Sequence, residues 1–266
     1  MEILGYLASA FIGISLGLIG GGGSILTVPV IVYLFNTPPL LATSYSLFIV
    51  GSTSLIGSIT NYRKGLVNLK AALYFGTSSI VTVFITRKFL VPAIPKEIVK
   101  IGGFTLTESF LTMVLFGMLM LMASMSMIKK PKVTAPEREC TDCVRFLKLV
   151  GYGIAIGLVT GLLGAGGGFL LIPALVLLVK LPMKKAVGTS LMIIALNSLI
   201  GFAGDIGHFP IQWSFLLSIT FIAIVGIFLG GLLSKKIPGK KLKKGFGWFV
   251  LLMGIYILIK ELLPNF

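Results

Sequence analysis

Long unbroken runs of apolar residues dominate this chain, and none alternates apolar with polar positions as a half-buried strand would. Runs of membrane-spanning length, roughly 17 to 25 residues, cover about 41–61, 71–86, 105–128, 187–203, 213–233 and 246–259. Backbone groups in lipid must be bonded within their own segment, so each run is predicted to be a helix rather than a barrel strand. Two further apolar segments, 3–35 and 148–179, are each broken near the middle by a cluster of small residues, mostly glycine. At about 1.5 Å per residue an unbroken helix of that length would overshoot the hydrocarbon by roughly half. Glycine at such density also weakens a helix. A turn is therefore expected in each.

The two broken segments are copies of each other. Gly17-Leu18-Ile19-Gly20-Gly21-Gly22-Gly23-Ser24 returns 144 positions later as Gly161-Leu162-Leu163-Gly164-Ala165-Gly166-Gly167-Gly168. The same offset brings Pro29 to Pro173, Pro38 to Pro182, Ser46-Leu47 to Ser190-Leu191, and Ser54-Leu55-Ile56-Gly57 to Ser198-Leu199-Ile200-Gly201. The chain thus divides into a first transmembrane repeat over 1–128, a polar linker over 129–147 and a second repeat over 148–266, a plan common among membrane transporters.

Composition agrees: 56% of residues are hydrophobic, 12% are charged and the mean hydropathy is +1.04, outside the range of soluble domains. The net charge of +15 does not point to nucleic acid, because Lys and Arg cluster at the ends of apolar runs. If each first segment turns back at its glycines, eighteen of these residues fall on one side of the membrane. Five fall on the other: Arg87, Lys88, Lys96, Lys100 and Lys260. Single-pass first segments would divide them thirteen to ten. The hairpin threading obeys the positive-inside rule, and it gives each half an odd number of passes, so the halves should be inverted, with both termini outside and the linker in the cytoplasm. There Cys140 and Cys143 are expected as free thiols. Met1-Glu2-Ile3 lacks the basic start of a signal peptide. The expected fold is an all-α integral membrane protein of two inverted homologous halves, each with a Gly-broken first hairpin and three further transmembrane helices.

The glycine breaks carry most of the chemical argument. The residues after each break, Ser24 to Pro29 and Gly168 to Pro173, should open a new helix whose free N–H groups and positive dipole end attract an anion. Glycine lets the backbone approach it closely. Gly21, Gly22, Gly23, Ser24, Gly166, Gly167 and Gly168 are therefore candidate binding residues at the membrane midplane, and Ser46, Asn61, Thr189, Ser190 and Asn197 are candidate polar partners. Packing of helices against glycine is the competing explanation. Asp205 and Glu108 are the two carboxylates that could lie inside the membrane; Asp205, with the neutral Asn61 at its repeat position, is the candidate proton carrier, protons being the candidate coupling ion. By the same offset Glu108 faces Leu252. His208 reads as a hydrated loop residue. No metal-ligand cluster, phosphate-binding lysine motif or Ser/His/Asp set is visible, so neither a cofactor nor an enzyme activity is expected.

With its paired Gly-Leu-Ile-Gly-Gly-Gly-Gly-Ser and Gly-Leu-Leu-Gly-Ala-Gly-Gly-Gly motifs, and the stretch from Gly207-His208 to Trp213 leading to a basic loop with Pro238, the chain resembles the sulfite exporter TauE/SafE family of membrane permeases. The resemblance implies export of small sulfur-containing anions, sulfite or organosulfonates such as sulfoacetate. Where the family often shows an acidic residue before Trp, this chain has Asn68-Leu69 and Gln212-Trp213. A passive anion channel and a non-transporting membrane scaffold or sensor are the alternatives. The partners implied are the small anion and the bilayer; the oligomeric state stays open.

Overall fold

The computed structural model describes residues 2–19, 21–95, 97–101, 104–128, 142–233 and 239–263. Gly20, Cys140, Lys96, Pro238 and most of the 129–147 linker lie outside them. The elements are α1 (Glu2–Ile19), a 3-10 turn (Gly22–Leu26) running into α2 (Thr27–Phe35), α3 (Pro39–Arg63), α4 (Leu69–Ile85) continued by a π-helical turn (Thr86–Leu90), the antiparallel pair β1 (Glu97–Ile101) and β2 (Phe104–Thr107), α5 (Glu108–Ile128), α6 (Asp142–Leu163), α7 (Gly168–Leu178), α8 (Met183–Asp205), α9 (Trp213–Leu233) and α10 (Gly239–Leu262). Among the described residues six helices are long and apolar enough to cross a membrane, and they fall on the six predicted runs. The last residues of the 129–147 linker, Cys143 included, belong to α6.

Local chemistry sets the helix starts. Pro39 opens α3 behind Pro38, where a missing N–H costs nothing. The Asn68 side chain accepts the Ala71 N–H at 3.0 Å and caps α4. Each long first segment doubles back as expected. The Tyr6 ring meets the Phe35 ring edge-on at 5.8 Å, which sets the end of α2 against the start of α1.

The packing pairs α1 with α9 and α6 with α4, while α3 lies along α8 and α5 along α10. The offset of 144 carries α1 onto α6 and α4 onto α9, so the first helix of each half lies against the other half. A Cβ on Gly51 would meet Leu199, one on Gly57 would meet Leu191, and one on Gly201 would meet Leu47; α3 and α8 thus run antiparallel. Gly117 beside Leu258 and Gly247 beside Met127 make α5 and α10 antiparallel as well. Gly13 against Ala223 and Gly17 against Ile227 make α1 and α9 parallel, as Gly153 against Ser78 and Gly161 against Thr86 do for α6 and α4.

The β1–β2 hairpin lies between α4 and α5, and the α9–α10 connection is too short to hold a counterpart. The 144 offset consequently ends with α4 and α9. Glu108 does not correspond to Leu252: it begins α5, whereas Leu252 sits inside α10.

Candidate functional site

The two glycine breaks meet. Gly21, at φ +103°, precedes the turn into α2, and Gly167, at φ +67°, precedes α7. Both need a left-handed backbone that glycine adopts without strain. A Cβ on Gly168 would lie 2.7 Å from the Gly21 Cα, so the backbones of the two breaks touch, and Gly21 and Gly168 are both buried. Gly22 opens the 3-10 turn. Gly23 folds back on Ser15 and Leu16 of α1.

Of the predicted polar partners, Ser46 is brought to this place. Its hydroxyl donates to the Gly164 carbonyl at 2.8 Å, from one half to the other. Ser24 is buried but donates back to the Gly21 carbonyl at 2.8 Å. The remaining candidates bond elsewhere. Thr189 Oγ1 accepts the Asn68 N–H at 2.9 Å and ties α8 to the α3–α4 connection. Ser190 donates to the Val187 carbonyl at 2.9 Å. Asn197 Nδ2 donates to Ser79 Oγ on α4 at 2.6 Å. Asn61 Nδ2 donates to the Gly57 carbonyl at 2.8 Å.

Two hydroxyls outside the predicted set stand at the second break. Ser198 Oγ lies 3.4 Å from where a Gly166 Cβ would stand, and Thr160 Oγ1 faces Gly167 in the same way. Both are fully buried without a hydrogen-bond partner, as is Ser54, the repeat mate of Ser198. A buried hydroxyl left unbonded costs about 1–3 kcal/mol, and two of these, Thr160 and Ser198, stand at the second glycine break. The repeat match of Ser54 to Ser198 was the sequence signal that could have found two of them.

A recess of about 330 Å³ lies beside the first break. Gly17 and Leu18 line its inner part, and Thr60, Asn61 and Lys64 supply its polar wall. Lys64 is exposed, so the recess reaches the surface at the C-terminal end of α3.

Asp205 requires a correction. The proton-carrier expectation needs a carboxylate partly removed from water and not paired with a cation. Instead Asp205 Oδ2 accepts from Arg87 Nη1 at 3.0 Å, with side-chain exposures of 0% for Arg87 and 1% for Asp205. Arg87, counted among the loop charges of the outer side, is buried in the bundle, and the charge bias stands without it.

Residues 5–257 match the sulfite exporter TauE/SafE family. The chain belongs to that family. It is 29% identical over 256 residues to a protein of Xylella fastidiosa named "Probable membrane transporter protein", covering 94% of this chain and 92% of the other. To the "Probable membrane transporter protein YunE" of Bacillus subtilis it is 27% identical over 249 residues, 84% of this chain and 85% of that one. A Methanocaldococcus jannaschii protein named "Probable membrane transporter protein MJ0441" is 35% identical over 115 residues, 41% of this chain and 43% of that one. No solved structure matches. Family membership and the six apolar spans make this TauE/SafE chain a multi-pass membrane transporter.

Proposed function

We propose that this transporter carries a small sulfur-containing anion, sulfite or an organosulfonate, out of the cell, and holds it at mid-depth between the two glycine breaks. The observation that carries the reading is the contact of Gly21 with Gly168, with the buried unpartnered hydroxyls of Thr160 and Ser198 beside the adjoining Gly167 and Gly166. Helical N-termini and hydroxyls offer donors to a tetrahedral or pyramidal oxyanion. They carry no full positive charge, which favours release as well as capture.

Antiparallel α3 and α8, antiparallel α5 and α10, and the matched pairs α1–α9 and α6–α4 support inverted repeats. In such a pair the two breaks approach from opposite faces, and a contact between them falls near the midplane. The recess at Asn61 and Lys64 would then be the cytoplasmic approach, on the side that the positive-inside rule gives to Arg63 and Lys64.

Purified protein in liposomes tests this. Preloaded unlabelled sulfite should drive uptake of labelled sulfite against its gradient, with sulfoacetate and taurine as sulfonate competitors and sulfate and thiosulfate as comparisons. A channel would give voltage-driven current without counterflow, and a scaffold would give neither.

A further inference from the structure

The recess at Asn61 has a counterpart by the 144 offset, and the counterpart is shut. Gly57, Asn61, Leu191, Ile227 and Gly231 map onto Gly201, Asp205, Leu47, Val83 and Arg87. The contacts repeat: a Cβ on Gly57 would meet Ile227 and Leu191, and one on Gly201 would meet Val83 and Leu47. On the open side Gly231 lines the recess, with nothing within 4 Å of where its Cβ would stand. On the shut side the matching position is Arg87. Its stem packs on Gly204, whose Cβ would lie 3.2 Å from the Arg87 Cβ, and its head is bonded to Asp205.

That ion pair is only half bonded. Arg87 Nε and Nη2 and Asp205 Oδ1 are buried without partners, and the Ser44 hydroxyl beside the carboxylate makes no hydrogen bond of normal geometry. A buried pair recovers its desolvation cost only when its remaining donors and acceptors are satisfied, so this one is a poor structural clamp. Arg87 is also carried on the π-helical turn, in which the Val91 N–H bonds to the Thr86 carbonyl at 2.8 Å. Such turns are rare and concentrate at functional sites.

We propose that Arg87 is a second anion-binding residue, on the approach opposite the Asn61 recess, and that the Asp205 carboxylate occupies it in place of the transported anion while that approach is closed. When the approach opens, a sulfite or sulfonate group exchanges with Asp205 at the guanidinium and takes the Nε and Nη2 donors that Asp205 leaves free. Guanidinium suits this role because its planar fork bonds two oxygens of one ligand. This inference rests on the oxyanion-carrier reading and adds to it a residue, a side and a closing contact.

The experiment uses full-length protein in liposomes, with Cys140 and Cys143 changed to Ser and sulfite as the probe. A wild type that moves none of the anions defeats the carrier reading; the variants judge the present inference against a transporting wild type. Ser44→Cys places a buried thiol beside the Asp205 carboxylate, where an impermeant maleimide should react slowly. Adding Asp205→Asn should speed that reaction about 10-fold and lower the half-saturating sulfite concentration about 5-fold, because the competing carboxylate is gone. The paired change Arg87→Met with Asp205→Leu separates this role from a structural one. An apolar pair of similar volume should keep the unfolding temperature near that of the wild type, yet sulfite counterflow should fall at least about 10-fold. Wild-type flux in that double variant overturns the proposal, as does an Asp205→Asn protein with unchanged labelling and unchanged sulfite dependence.

Discussion

Six side chains decide how the glycine breaks should be read. Asn61, Ser24 and Ser190 all spend their donors on nearby backbone carbonyls, which any polar residue in an apolar helix can do. Thr160, Ser54 and Ser198 do not; they are buried and unbonded. Ser198→Ala, Ser54→Ala and Thr160→Val therefore remove a desolvation cost without breaking any bond, and each should leave the unfolding temperature unchanged or raise it. If these hydroxyls hold the anion, the same variants should lose about tenfold or more of sulfite counterflow, roughly one good hydrogen bond to a charged ligand. Stable variants with full flux would remove the hydroxyls from the site. Gly166→Val is a poorer probe, since φ is +65° and Val50 stands 2.8 Å from the added Cβ; it would fail by misfolding. At this scale the sequence was informative where a residue type answers a backbone need, as at Gly21 and Gly167. It was silent on Arg87, because a lone arginine ending an apolar run looks like a topology signal and its partner is 118 residues away.

Between helices, glycine does a different job. Gly13 and Gly17 on α1 press on backbone atoms of Ala223, Ile227 and Gly230 of α9, and Gly226 presses back on Ala10 and Gly13. In the matching pair Gly157 and Gly161 of α6 take the Thr82 and Thr86 side chains of α4. Small residues four apart let helix axes approach closely, and in lipid this packing is a main source of association. The packing explanation weighed against the breaks holds for these glycines, while Gly21 and Gly167 also need glycine for a positive φ. Gly226→Val should part α1 from α9 and cost several degrees in the unfolding temperature of the detergent-solubilised protein. Gly151→Ala, with nothing within 4 Å of the new Cβ, should be neutral or slightly stabilising, by up to about 1 kcal/mol from helix propensity. Equal effects of the two would mean that α1 and α9 do not pack as described. The six spans and the hairpins were legible because length and apolar continuity fix them. The β1–β2 pair was not, since a short insertion leaves no mark on a repeat read at one ungapped offset.

Taken whole, the molecule is two similar halves that differ beside the central helix pair. Of the six spans, α3 and α8 are the most buried, while α5, α9 and α10 present Met122, Phe221 and Leu252 outward, as a bundle facing lipid does. Around the central pair, one vestibule is open at Asn61 and Gly231 and its mate is filled by Asp205 and Arg87. If an approximate two-fold axis relates the halves, the filling is portable: the ion pair should close the other vestibule when moved there. Asn61→Asp with Gly231→Arg performs the move, and the recess of about 330 Å³ gives the arginine room. A Cys at Thr60, which lines the recess, in the Cys140→Ser, Cys143→Ser background, should react readily with a maleimide in the parent and about 10-fold more slowly in the double variant, as an accessible population lost to a closed one requires. Asn61→Asp alone supplies the acid without the arginine that fills the matching place, and should not protect the thiol. Sulfite counterflow should stop in the double variant, because both approaches are then shut by the same device. Undiminished labelling would mean that the offset of 144 matches residues without matching their places in space, and the inverted-repeat reading would fall with it.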